Sequence, residues 1–262
     1  MSLFALKLAL VGAVVLAASF AARRFGHGVA GTLSGLPMIA GPIMGFVLLQ
    51  APAAQAHAIA LATLVAYPAM VLHMLGFAHA VRRGAPWWLA LLAANAVFLA
   101  SGLALLSLHL PTVAVCVLAA VSPWVVLRLM PAHRRERTVL HIPPIELVLR
   151  VAAAVALAAS VMLGAEVLAP AISGLLLALP ITGNVLPGFT LTRHGADATI
   201  ELLCGFVRGM AGFCAFFMVL ALALPVLAPA ASYALAWGVV LTLAWGLQRR
   251  RVALTEPAQP VD

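Results

Sequence analysis

Apolar residues run along this chain in continuous stretches of about twenty, separated by short polar or charged connections, and do not alternate with polar ones. Stretches of that kind read as membrane-crossing α-helices, since about 20 residues span a hydrocarbon core of roughly 30 Å. A transmembrane barrel would instead show segments of about ten residues with alternating polarity. Nine spans are predicted, at 3–22, 28–49, 58–80, 86–108, 110–130, 145–164, 167–190, 198–222 and 229–248.

The connections alternate in charge. Arg23 and Arg24 occupy the first, Arg82 and Arg83 the third, Arg134, Arg135 and Arg137 the fifth, Arg193 the seventh, and Arg249, Arg250 and Arg251 the C-terminus. The second, fourth, sixth and eighth carry no Lys or Arg, and the sixth has only Glu166. Basic residues are retained on the cytoplasmic side. The N-terminus is therefore expected outside and the C-terminus in the cytoplasm. Trp87, Trp88, Trp124 and Trp245 fall near expected cytoplasmic ends, where aromatic rings sit at headgroup depth.

Composition agrees with this picture. The 262 residues are 65% hydrophobic and 8% charged, with a mean hydropathy of +1.15, against about 45–50% apolar for a soluble domain. The net charge of +8 comes from residues clustered at helix ends, which points to topology and anionic lipid, not nucleic acid. Cys116, Cys204 and Cys214 lie in apolar runs without metal or redox spacing. The first apolar run precedes Arg23 and Arg24 instead of following basic residues, so it is expected to be a retained helix and not a cleaved signal.

One stretch occurs twice. Gly31, Leu33, Leu36, Pro37, Gly45 and Phe46 recur as Gly174, Leu176, Leu179, Pro180, Gly188 and Phe189, at the constant offset of 143 residues that separates Gly31 from Gly174. Residues 13–19 also match residues 154–160 at six of seven positions. These matches set spans one to four opposite spans six to nine, with span five alone. Four spans return the chain to the side where it began. The single span between the units then makes the second enter from the opposite face. The expected fold is an all-α polytopic membrane protein with a 4+1+4 inverted repeat. Its parts are residues 1–108, a linking helix and cytoplasmic loop at 109–144, and residues 145–262.

Span two carries Gly31, Gly35, Pro37, Gly41, Pro42 and Gly45, and span seven carries Gly174, Pro180, Gly183, Asn184, Pro187 and Gly188. Small residues let helices approach closely and Pro removes a helical hydrogen bond. One reading is static packing at a repeat interface. The other is a pair of discontinuous helices crossing at mid-membrane, with Gly31, Pro37, Gly41, Pro42, Gly174, Pro180, Gly183 and Pro187 as break or gating positions and Thr182 and Asn184 adding polarity in the second copy only.

Asp197, Glu201 and Arg208 fall close to one face of span eight. A charge as deep as Arg208 costs at least about 2.5–3.5 kcal/mol on insertion scales. It is read either as a structural pair with Glu201 or as a pathway group for an anion, with Glu201 the first proton-carrier candidate. Tyr67 and His73 are further pathway candidates, and Asn95 follows in span four. Nucleotide-binding, metalloprotease and hydrolase motifs are missing, so no enzyme, metal or cofactor is expected.

The paired Gly-x-x-x-x-Leu-Pro stretches, together with Ala13 to Ala80 and Ala154 to Leu222, resemble the GlpM-type family of small four-helix bacterial membrane proteins. The resemblance implies two fused four-helix units in the inner membrane, with links to envelope polysaccharide, and identifies no catalytic residues. The four-plus-one-plus-four layout is also similar to that of fused two-domain fluoride channels, without their filter motifs.

The expected function is a multi-pass transporter or channel-like permease of the bacterial inner (cytoplasmic) membrane for a small polar or anionic solute. The alternative is a non-transporting accessory subunit of an envelope-biosynthesis complex. The expected partners are membrane lipid and a small-molecule solute, and the Gly-rich faces suit a homodimer as readily as a monomer.

Overall fold

A computed structural model describes residues 2–134, 144–165 and 170–253. Arg135, Glu136, Arg137, His141, Glu166 and residues 254–262 lie outside the described residues, as do the side chains of Lys7, Arg150, Trp245 and Arg249 to Arg251.

The described chain forms α1 (Ser2–Phe25), α2 (His27–Ser34), α3 (Ala40–Gln50), α4 (Ala53–Arg82), α5 (Trp87–Ser107), α6 (Thr112–Leu129), α7 (Pro144–Ala165), α8 (Pro170–Leu177), α9 (Ile181–Ala223) and α10 (Pro229–Ala253), with no strand among the described residues. Among the described residues, five segments are long and apolar enough to cross a membrane: Phe4–Phe25, Ala53–Arg82, Trp87–Ser107, Thr112–Leu129 and Ala171–Ala223. This is an all-α membrane protein. Hydrophobic residues cover the outside of α5 and α6, where Leu92, Leu103, Val113 and Val117 are exposed, as a lipid-facing surface requires.

The 53-residue segment is not one rod. It breaks between α8 and α9, and α9 bends again at Gly195, whose φ of 78° and ψ of −172° suit glycine alone. We refer to residues 181–194 and 196–223 as the first and second limbs of α9.

The break after α2 follows from Pro37. Its ring carries no N–H for the Leu33 carbonyl and disfavours helical geometry at Leu36. The chain tightens instead: the N–H groups of Gly35, Leu36, Met38 and Gly41 donate to the carbonyls of Gly31, Leu33, Leu36 and Pro37. At Pro180, the N–H groups of Ala178, Leu179, Ile181 and Asn184 donate to Gly174, Leu176, Leu179 and Pro180. Every donor and acceptor in the second set stands 143 residues after its counterpart. Each break is confined to a few residues. Pro42 sits in the first turn of α3, where no helical N–H bond is lost, and α9 continues through Pro187.

The core lies between α4 and the second limb of α9, where Tyr67, Phe206, Phe216 and Phe217 are fully buried. These two helices run antiparallel. Arg82 at the end of α4 pairs with Asp197 at the start of the second limb at 2.9 Å, while His57 at the start of α4 lies 3.1 Å from the Ala221 carbonyl near its end. Between them the Tyr67 hydroxyl donates to the Met210 carbonyl at 2.9 Å, and these residues are themselves 143 apart.

Short helices lie tightly on this pair. Along α2, a Cβ at Gly31 would overlap the backbone of Leu202 and Phe206, while one at Gly205 or Gly209 would overlap the carbonyl of Gly28 or Thr32. On α8, a Cβ at Gly174 would stand 2.5 Å from Ala62 Cβ and 2.8 Å from Thr63 N. Backbone contact of this closeness requires glycine.

The connections gather at two ends. At one, Arg82 also donates to the Ala132 carbonyl, His79 Nε2 lies 3.2 Å from the Leu129 carbonyl, and the His27 and His194 rings stand 5.1 Å apart. His27, His79, Arg82, Leu129, Ala132, His194 and Asp197 thus share one end. His57 and Ala221 meet at the other.

Candidate functional site: a cavity at the two helix breaks

A cavity of about 430 Å³ reaches both breaks. Leu36 and Ile39 come from the first break, and Leu179, Pro180, Ile181 and Thr182 from the second. Phe4 and Val14 of α1 and Ile43 and Val47 of α3 form walls, while Gln50, Ala51, Pro52 and Gln55 form a polar mouth at the end where α3 turns into α4. Ser34, Ser173 and Thr182 add hydroxyls, and no charged side chain belongs to the lining among the described residues. Phe206 and Phe213 close the floor from α9.

The backbone supplies the remaining polarity. The cavity lies against Ala40 and Ile181, the first residues of α3 and α9. The N–H groups of Gly41, Ile43, Ile181 and Asn184 are already donated to Pro37, Ile39, Leu179 and Pro180, and Pro42 has none, so what these starts offer is mainly the positive end of the helix dipole. The Ser34 hydroxyl donates to the Ala30 carbonyl at 2.9 Å, and the Thr182 hydroxyl makes a long 3.5 Å contact with the Ser34 carbonyl. That contact ties the end of α2 to the start of α9 and so couples the two breaks.

A second polar cluster stands behind the first limb of α9. The Asn184 Oδ1 accepts from His73 Nε2 at 3.0 Å and from Asn95 Nδ2 at 2.8 Å, and Asn95 also donates to the Leu91 carbonyl at 2.9 Å. His73 Nε2 therefore carries a proton. Its Nδ1 is buried and has no hydrogen-bond partner among the described residues. Such a cluster joins α4, α5 and α9 through one oxygen.

The candidate residues from the sequence thus divide. Thr182 and Pro180 line the cavity; Asn184 and His73 bond to one another beside it; Tyr67 bonds to Met210 at the helix crossing. Gly31 and Gly174 sit at helix contacts, Gly41 faces Trp237 and Gly183 faces Met74. Glu201 and Arg208 are half-buried, do not line this cavity, and make neither an ion pair nor a hydrogen bond among the described residues. Glu201 instead packs over Gly28, and Asp197 is drawn to Arg82. Ser34, Gln50 and Gln55 were not singled out from the sequence. Their only signal is polarity beside the first Gly/Pro stretch, at the end of a span.

Searches against family models, curated proteins and solved structures find no match for this chain.

Proposed function

We propose that this chain is a multi-pass permease of a bacterial inner membrane, in which a small polar or anionic solute passes through the cavity at the two helix breaks. The observation that carries the proposal is the cavity itself. Hydrocarbon tolerates interrupted helices only where protein or an aqueous space covers the freed backbone groups, and here the space is large enough to hold a solute. Partial positive charge from the starts of α3 and α9 favours an anionic or strongly hydrogen-bond-accepting group. Arg208 and Glu201 have no step in this proposal.

The proposed architecture is nine spans in a 4+1+4 inverted repeat, divided at 1–108, 109–144 and 145–262. Five lines support it: the charge alternation, the gathering of odd-numbered connections at one end, the hydrogen-bond pattern repeated at 143 residues, the antiparallel course of matched helices, and the contact of Tyr67 with its own counterpart Met210. A residue that touches its counterpart lies on a two-fold axis. When the matched helices run antiparallel, that axis is perpendicular to them and lies in the membrane plane. In this arrangement the cavity mouth faces outward and the Arg82 end faces the cytoplasm.

A non-transporting accessory subunit is the second reading. It is favoured by the backbone packing of Gly205 and Gly209 against α2, which fills the faces a solute would otherwise use. Proteoliposomes separate the two. A mixed metabolite extract is offered outside, and the retained solutes are identified by mass spectrometry for the wild type, Ile43→Trp and Thr182→Val. The expected result is accumulation of a defined solute that Ile43→Trp abolishes and Thr182→Val reduces. Accumulation equal to protein-free vesicles with every fraction would favour the accessory role.

A further inference from the structure

The exposed residues of the cavity lining, Gln50, Pro52 and Gln55, all lie at one end, and the matched positions of its wall at the other end are packed shut. Shifting the cavity wall by 143 residues carries Ile43 to Leu186, Val47 to Thr190, Ala51 to His194, Pro52 to Gly195 and Ile59 to Leu202. Ile43 and Val47 are half-buried at the open cavity, whereas Leu186, Thr190 and Leu202 are 1%, 1% and 2% exposed. Leu186 and Leu202 pack with Val11 and Val15 of α1, Ala30 of α2 and Ala154 of α7 in an apolar seam separate from the main core.

Three differences at the ends set the closed side apart. Ala51 leaves the open mouth clear, while His194 packs on the His27 ring. The Arg82–Asp197 pair ties α4 to the second limb of α9 at the closed end; the matched positions at the open end are Ala54 and Pro225, which cannot pair. The bend beside the open mouth is Pro52, with φ fixed near its observed −55°, whereas the matched bend is Gly195, in a conformation that only glycine holds easily. The seam is closed by apolar contact beside a backbone hinge, and the ion pair holds the residue two positions after that hinge against α4.

We infer that this seam is a second vestibule, the cytoplasmic half of the pathway, and that the Arg82–Asp197 pair is its latch. Opening turns the first limb of α9 about Gly195 away from Ala30 and Leu202, and the outer cavity closes as α3 takes the packed arrangement that the first limb of α9 has now. Each matched limb would then alternate between the two arrangements the structure displays side by side. This inference rests on the inverted-repeat permease proposed above. The latch is partly exposed, and such pairs contribute little, so its removal shifts the equilibrium modestly.

The test uses Val47→Cys and Thr190→Cys, the matched reporters on the two sides, each with and without Asp197→Asn. Membrane-impermeant maleimide is applied to right-side-out and inside-out vesicles, and labelling of the parent protein at Cys116, Cys204 and Cys214 is subtracted. Thr190→Cys is expected to label slowly from the face opposite to Val47→Cys. Asp197→Asn should accelerate it up to about fivefold and slow Val47→Cys, and the exchange Arg82→Asp with Asp197→Arg should return both rates toward the parent values. Unchanged Thr190→Cys labelling in Asp197→Asn overturns the latch, and faster labelling at both reporters overturns alternation in favour of general loosening. Labelling of both reporters from one face overturns the inverted repeat itself.

Discussion

Two matched places in this molecule have been filled with opposite chemistry. His73 and Asn184 meet on one side of the Tyr67–Met210 crossing, with Asn95 reaching the same oxygen from α5. Their counterparts at 143 residues are Phe216 and Gly41, where Tyr233 and Trp237 reach in from α10. Phe216 packs edge-on to Tyr233 and Trp237 at 5.9 and 5.3 Å, and Trp237 lies 2.5 Å from where a Gly41 Cβ would be. The aromatic place is held by shape and by one long hydrogen bond, from the Tyr233 hydroxyl to the Gly41 carbonyl at 3.3 Å. The polar place needs all its partners, because a buried donor or acceptor left alone costs about 1–3 kcal/mol. Only the second copy of the broken helix holds such a polar cluster, beside Thr182.

Substitutions that break the shared framework should have the largest effect. Gly31→Leu and Gly174→Leu drive a side chain into the backbone of a neighbouring helix, and overpacking of this kind costs about 3 kcal/mol or more. Both should fail to purify as monodisperse protein, whereas Gly238→Ala, with open space around it, should melt like the wild type. If either leucine variant were stable, the close approach of α2 or α8 would not be a native contact.

The next effects test the difference between the two places. Asn184→Leu strands the donors of His73 and Asn95 and should cost about 2–3 kcal/mol in thermal unfolding. Copying the aromatic side through His73→Phe with Asn184→Gly removes both ends of that hydrogen bond and should recover part of this loss, while proteoliposome accumulation stays low. Recovery of both stability and accumulation would make the polar cluster a packing alternative and nothing more. Gly41→Asn, the reverse exchange, should cost about 1–3 kcal/mol because Trp237 occupies the space.

Smaller effects are expected at the crossing and the end. Tyr67→Phe removes one buried hydrogen bond and should cost about 1 kcal/mol. Asp197→Asn should change the melting temperature least, by an amount equivalent to less than about 1 kcal/mol.

The sequence carries the helical class plainly, because unbroken apolar runs leave a helix as the only structure that satisfies its own backbone in lipid. Pro37 and Pro180 also announce a local interruption, since proline acts on its immediate neighbours. The extent of the break was less legible: Pro42 falls in the first turn of α3, where no helical N–H bond is lost, while Pro187 lies inside α9, which continues through it. Long-range partners were not legible at all. Helical spacing sets Glu201 and Arg208 on one face, but Asp197 finds Arg82 from another helix, and Asn184 finds His73 over 111 residues. Those choices depend on how α4, α5 and α9 dock, which no local pattern records. The cavity has the same origin, being the space left where two interrupted helices cross.

The central claim is that the matched halves face opposite sides of the membrane with the cavity between them. Single cysteines at Gln50, in the open mouth, and at its counterpart Arg193 test it most directly, since both positions are exposed. Impermeant maleimide should label Gln50→Cys only in right-side-out vesicles and Arg193→Cys only in inside-out vesicles. Labelling of both from the same face would contradict the account.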